Sequence, residues 1–216
     1  MRDISQSLLR GQRSKSILCK HLLIRAVLTY GGNTYTYTQT KTKQLSDVEQ
    51  IFSRRAELLL DDTDKTLHSL DLEGYKAAIS YGLITRAGPE WVATSPLWVA
   101  GQQRDSYRTH LECSLSLEGI FDRMGKQKAE SSMTLPATDT QTVKDLLTGL
   151  ADGTITDGTN SPYSNYPAYT ITFDATEETL LDSFIPADFF SVGFNESRLS
   201  AFKKALRWVK SKARIE

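Results

Sequence analysis

Residues Leu58–Gly82 read LLLDDTDKTLHSLDLEGYKAAISYG. Four aspartates (Asp61, Asp62, Asp64, Asp71) and Glu73 fall between positions 61 and 73, with threonines among them. Such a run is a metal loop, an acid/base site, or a connection between two strands. A helix-flanked calcium loop needs oxygen ligands at alternate positions, glycine at the sixth and a bidentate glutamate at the twelfth. Counting from Asp62, the sixth position is Leu67 and the twelfth is Glu73, and the flanks read as strands rather than helices. Asp and Thr side chains readily bond to nearby backbone N–H groups. Asp61, Asp62 and Asp64 are therefore expected to shape turns between two strands.

Working outward, the period-two pattern dominates the first half of the chain. ILCKHLLIRAVLTY, then Gly31-Gly32-Asn33, then TYTYTQT predict a β-hairpin whose second strand turns Tyr35 and Tyr37 to one face and its threonines to the other. Leu45–Leu60 fits a helix capped by Ser46 or a strand, and its strand-like neighbours favour strand. Tyr75–Leu83 and Ser95–Gln103 are short strands separated by a Gly88-Pro89 turn. YRTHLECSLSL, Tyr107–Leu117, alternates over eleven residues, with Tyr107, Thr109, Leu111, Cys113, Leu115 and Leu117 on one face. That length points to a barrel or a large twisted sheet with one wet face.

After Gly119 the pattern changes. IFDRMGKQKAESS is short and charged and reads as a mobile link. Val143, Leu146, Leu147 and Leu150 hold helical spacing, with a cap at Asp139 or Thr140 and Gly153 placed to stop the helix. Tyr169–Phe173 alternates like a strand, and a final helix from about Asn195 carries Leu199, Phe202, Leu206, Val209 and Ala213 as its apolar stripe, opposite Lys203, Arg207, Lys210 and Arg214. The expected fold is mainly β with minor α: a β-barrel domain over 1–125, and a smaller α+β segment with a C-terminal amphipathic helix over 126–216.

The bulk chemistry is neutral. The 216 residues are 39% apolar and 24% charged, with formal net charge zero, which fits a globular chain and gives no reason to expect specific nucleic acid as a partner. No apolar run approaches the ~20 residues of a membrane helix, so no membrane insertion is expected. The N-terminal MRDISQSLLRGQRSKS has no apolar signal core, which fits assembly in a cytoplasm. Cys19 and Cys113 are expected to be buried thiols. His21, His68 and His110 share no metal-ligand spacing, and no nucleophile elbow, phosphate loop or zinc-protease motif is present. No cofactor and no catalysis are expected. The carboxylate pairs that a hydrolase would call on are Asp62 with Glu73 and Asp105 with Glu112. Tyr163, Tyr166, Tyr169, Phe184, Phe189, Phe190 and Phe194 crowd an irregular region, as protein contacts or as a small core under long loops.

The stretch Leu58–Val99 resembles the N-terminal region of phage tail hub and baseplate proteins. The likeness rests on Leu60-Asp61-Asp62 ending a strand, the step Leu72-Glu73-Gly74, the strand Ala77–Gly82 and the Pro96–Val99 strand. DFFSVGFNESRLSAFKKAL is similar to the later part of such chains. The resemblance implies a tail-tube-like β-barrel, a non-enzymatic virion protein of the tail assembled in the host cytoplasm, and a ring or trimer of copies contacting neighbouring tail or baseplate proteins. Expected subunit contacts are Tyr35, Tyr37, Trp91, Trp98, Tyr163, Tyr166, Phe189 and Phe190. The alternative is a carbohydrate- or receptor-binding module of a virion, with Trp91 and the tyrosines near Tyr163 stacking on sugar rings.

Overall fold

The computed structural model describes residues 22–85, 88–107, 110–136 and 140–209. Cys19, His21, Arg108, Thr109, Asp139, Lys210, Ala213 and Arg214 lie outside the described residues. The chain divides into two compact units, the first ending at Ile120 and the second beginning at Phe121.

The first unit holds strands β1 (Leu22–Tyr30), β2 (Asn33–Thr38), β3 (Thr42–Gln50), β4 (Ser53–Asp61), β5 (Lys76–Thr85), β6 (Gly88–Ala93), β7 (Leu97–Ser106) and β8 (Leu111–Glu118). All pair antiparallel, in the order β2-β1-β5-β7-β8-β4-β3, with β6 also against β5. The expected hairpin is present: Tyr30 faces Asn33 across Gly31 (φ 57°) and Gly32 (φ 86°), the two positive φ angles of a tight twisted turn. Tyr37 is buried and Thr34 and Thr36 are exposed, as alternation requires. The ambiguous segment is strand. It forms a second hairpin, β3–β4, that turns at Ile51-Phe52 with Phe52 at φ 62°.

The expected barrel does not close. Among the described residues, β2 and β3 each carry a paired strand on one flank only. The reason lies in how β5 is shared. β7 pairs with β5 only at Lys76 and Ala77, and β6 takes the rest of that flank, from Ser80 to Thr85. Between β6 and β7 the chain turns a corner at Thr94-Ser95-Pro96, where proline offers no N–H to extend a ladder. Two four-stranded halves result, β2-β1-β5-β6 and β7-β8-β4-β3. One core draws on both: Ala26, Leu28 and Ile79 from the first, Leu58, Leu60, Val99, Leu115 and Leu117 from the second.

The long strand expected over Tyr107–Leu117 is shorter. Tyr107 N–H donates to the His110 carbonyl (3.0 Å) and the two rings stack at 5.0 Å, so the chain reverses there and β7 and β8 become a hairpin. The Gly88-Pro89 stretch belongs to strand β6. There Trp91 lies over Gly82, whose absent side chain makes the contact possible. A Cβ on Gly82 would sit 2.5 Å from the Glu90 carbonyl oxygen and 2.8 Å from the Trp91 ring. Gly82→Ala is expected to destabilise the protein by about 1–3 kcal/mol, as overpacking does. A urea midpoint equal to wild type would refute this.

The opening stretch is the connection from β4 to β5. Asp61 accepts from Thr63 N–H (3.2 Å), Asp64 from Thr66 N–H (3.3 Å) and Asp71 from Glu73 N–H (3.1 Å). Buried Asp62 accepts from Leu67 N–H at 2.7 Å, which seats Leu67 in the core. These are the side-chain-to-backbone turns the sequence predicted. Lys41 Nζ donates to both Asp64 oxygens at 2.6 Å, and this contact, followed by the Thr66 hydroxyl, holds the Asp64 carboxyl down at about 2. A depressed carboxyl stabilises the folded state above its unfolded pKa and loses that contribution as pH falls through the folded value. An NMR titration should therefore show Asp64 protonating near pH 2 in the wild type. In Lys41→Met the midpoint should rise towards the ordinary aspartate value, and an unchanged midpoint would refute the contact.

The second unit holds α1 (Ile120–Lys126), β9 (Met133–Leu135), α2 (Val143–Asp152), α3 (Ala175–Ser183), β10 (Phe190–Val192) and α4 (Arg198–Leu206). The expected mobile link is helix α1, with Phe121 and Met124 buried. In α2 the predicted apolar positions are buried, but Thr142, two residues after Thr140 and three after Asp139, caps it in a reciprocal box with Asp145. Tyr169–Phe173 is irregular rather than strand. Tyr169 N–H donates to the Ala151 carbonyl at 2.8 Å, the end of α2 rather than a neighbouring strand. The stripe of α4 is Arg198, Ala201, Phe202, Ala205 and Leu206; it keeps the expected Phe202 and Leu206, while Leu199 is only partly buried.

Candidate assembly surfaces

β3 is the strand with the most exposed side chains, including Val48 at 53%, and the adjacent turn exposes Ile51 at 71%. Its register with β4 slips near its start, between Thr42 and Gln44, as at a bulge. Among the described residues the other outer strand, β2, is Asn33-Thr-Tyr-Thr-Tyr-Thr38, uncharged along its length. At its tip Tyr30, 62% exposed, leans on buried Tyr75 (centroids 5.3 Å), and Tyr35 meets Tyr75 from the other side (5.9 Å). The structure thus sets three tyrosines together at the β1–β2 end, of which the sequence pointed only to Tyr35.

The remaining expected contacts are scattered. Tyr37 is buried between the two half-sheets, and desolvation pushes its hydroxyl up to about 12. Trp91 is half-buried, with the Arg25 guanidinium 4.7 Å from its ring centroid. Trp98 is half-buried in the ladder between Lys76 and Glu118. Tyr163 is wholly buried, its hydroxyl donating to the Glu196 carbonyl (3.2 Å), and burial raises its pKa. The Tyr166 hydroxyl exchanges hydrogen bonds with the backbone of Lys128. Phe190 is buried against Trp208 (centroids 5.8 Å), whereas its neighbour Phe189 is 63% exposed. Burial commits Tyr37, Tyr163 and Phe190 to their own cores. Of the eight, Phe189 is the most exposed.

The carboxylate pairs have structural company. Asp61, Glu112 and Asp105 stand in one register line across β4, β8 and β7. Lys43 lies against two of them, 2.9 Å from Glu112 and 3.6 Å from Asp61, and the hydrogen bond to Glu112 raises the lysine's pKa. Asp62 serves the Leu67 turn, and Glu73 is exposed. Cys113 is buried, which raises its thiol pKa, and accepts from Gln102 Nε2 at 3.4 Å.

Sequence reasoning missed two buried arginines. Arg54 is 1% exposed. It donates from Nε and Nη2 to the two Asp47 oxygens (3.1 and 2.7 Å) and from Nη1 to the carbonyl and hydroxyl of Ser95. Tyr81 OH completes the group by donating to Asp47 Oδ2 at 3.0 Å. The network ties β3, β4 and β5 to the Thr94–Pro96 corner. Arg198, 0% exposed, donates to the carbonyls of Leu150, Ala151 and Pro167 and to Gln127 Oε1, with the Tyr169 ring 5.0 Å from its guanidinium carbon. Both were visible as parity. Arg54 alternates in step with Ala56, Leu58 and Leu60, and Arg198 precedes Ala201, Phe202 and Ala205 at helical spacing.

No protein-family model matches the sequence, and no curated protein matches it. Solved structures do. A chain of the Francisella PdpA-VgrG complex, in its lidded form, superposes with a TM-score of 0.52 at 11% identity, over 90% of this chain and 27% of that one. What is shared is the fold. The tail protein from Neisseria meningitidis MC58 gives a TM-score of 0.47 at 13% identity, over 85% of this chain and 45% of that one. The chain spans less than half the length of either structure.

Proposed function

We propose that this chain is a structural component of a phage tail, a baseplate hub or tube-to-baseplate adaptor that assembles as a ring or trimer around the tail axis and performs no catalysis of its own. The observation that carries this reading is the antiparallel ladder whose two outer strands, the uncharged β2 and the charged β3, are built differently and have an unpaired flank among the described residues. Unlike edges favour head-to-tail contact, which closes into rings when the rotation allows. The fold likeness to a chain of a VgrG-containing complex and the tail-hub resemblance of Leu58–Val99 support it. Its partners are then other copies and neighbouring tail proteins, and its place is the virion tail.

Light scattering after size exclusion, on the protein alone and with its tail partners, tests this. The expected result is a discrete oligomer that Val48→Lys and Ile51→Lys weaken while the circular dichroism spectrum stays unchanged. A monomer under every condition that never enters particles would refute it, and lysis of cell walls in a zymogram would refute the absence of catalysis.

A further inference from the structure

Residues 174–189 read DATEETLLDSFIPADF, with Asp174, Glu177, Glu178, Asp182 and Asp188 and no lysine, arginine or histidine. Lys144 of α2 reaches across to Glu178 (3.0 Å) and Asp182 (3.6 Å), one positive charge set between two negative ones. In the same stretch four large apolar side chains face water: Leu180 at 50%, Phe184 at 37%, Ile185 at 51% and Phe189 at 63%. Single exposed apolar residues are ordinary, but four within ten positions are not. Leu180 lies on α3 and Phe184 directly follows the helix's last residue, Ser183, while Leu181 of α3 is 2% exposed. Exposed Leu180 contributes little to the packing of α3, so core formation does not account for its presence.

Four exposed apolar side chains in a segment that carries five carboxylates select an occupant by two independent terms. Burial of the apolar side chains supplies affinity, and the carboxylates select positive charge and speed the encounter. A helix with leucine-like residues at i, i+3, i+4 and lysine or arginine on its margins satisfies both. We propose that the strip formed by α3 and the following residues to Phe189 docks a basic amphipathic helix of a neighbouring protein. The surface belongs to the second unit, and the proposal stands apart from edge-strand assembly.

The test uses the full chain and two fluorescein-labelled helical peptides, one built of leucine and lysine and one of leucine and glutamate. Fluorescence anisotropy should show saturable binding of the lysine peptide, weakening as salt rises, and at least about tenfold weaker binding of the glutamate peptide. Ile185→Ser with Phe189→Ser should weaken the lysine peptide by about tenfold or more with an unchanged circular dichroism spectrum. Asp182→Asn with Asp188→Asn leaves the apolar side chains intact, decides the matter if the first variant unfolds, and should flatten the salt dependence. Equal binding of both peptides, no saturable binding, or lysine-peptide binding indifferent to the charge variant would overturn the proposal.

Discussion

Replacing Arg198 with methionine is expected to unfold the second unit's core at a cost of about 3–5 kcal/mol, the range seen when one member of a buried polar constellation is removed. The side chain is 0% exposed, so its removal takes a donor from acceptors that water does not readily reach. The Leu150 and Ala151 carbonyls lie in the last turn of α2, where helix carbonyls lack intrahelical partners and the dipole's negative end attracts a cation. The Pro167 carbonyl and Gln127 Oε1 come from two further segments. Gln127 in turn donates to the Tyr169 hydroxyl at 3.0 Å. One guanidinium therefore joins the end of α2, the loop leading to Tyr169, the residue after α1, and α4 itself. Burial lowers its pKa, yet a guanidinium stays charged, so the energy of desolvation is returned only through those acceptors. Methionine fills much of the volume but takes the donor from the Leu150 and Pro167 carbonyls and Gln127 Oε1, while the Ala151 carbonyl keeps only the Tyr169 N–H. Hydrogen exchange should show protection lost across 143–169 and 190–206. Lysine should not rescue it, since three donors on one nitrogen cannot reproduce a planar fork. Wild-type exchange in Arg198→Met would show that the acceptors find other partners.

Arg54→Met is expected to lower stability by a similar amount, about 3–5 kcal/mol, in the first unit. The loss differs in kind. Here the partner is a carboxylate, and removing the arginine leaves Asp47, 14% exposed, with the Tyr81 hydroxyl beside it. The Ser95 carbonyl and hydroxyl at the corner lose their donor at the same time. A second change should restore much of the loss. Arg54→Met with Asp47→Leu removes both charges and converts the site to an apolar one, which is often neutral relative to the ion pair. A urea denaturation cycle over the two single variants and the double should give a coupling of at least about 1 kcal/mol. Additive losses would mean that Arg54 acts through Ser95 alone.

The alternating pattern by itself determined the β1–β2 hairpin and the buried face of β8, because a strand's side-chain period is a local property of its backbone. The aspartate turns of Leu58–Gly82 were equally legible, since an Asx turn is closed within a few residues. The helical spacing of Val143, Leu146, Leu147 and Leu150 placed α2 for the same reason. Where the fold departs from these expectations, the cause is pairing between distant segments. Whether eight strands close into a barrel depends on which flank of β5 is left for β7, and no window of sequence contains both. The break at Tyr107–His110, the strand nature of Gly88–Ala93 and the irregular path of Tyr169–Phe173 are likewise settled by which strand, if any, lies alongside. The assembly residues divide in the same way. Aromatic identity named Tyr37, Tyr163 and Phe190 as contacts, and tertiary packing spent them on cores, while Phe189, one residue from Phe190, remains at the surface. Arg54 and Arg198 sit at apolar positions of otherwise regular patterns. The sequence marks their places as inward-facing, but a buried cation is tolerable only where distant acceptors converge on it, and that convergence exists only in the folded chain.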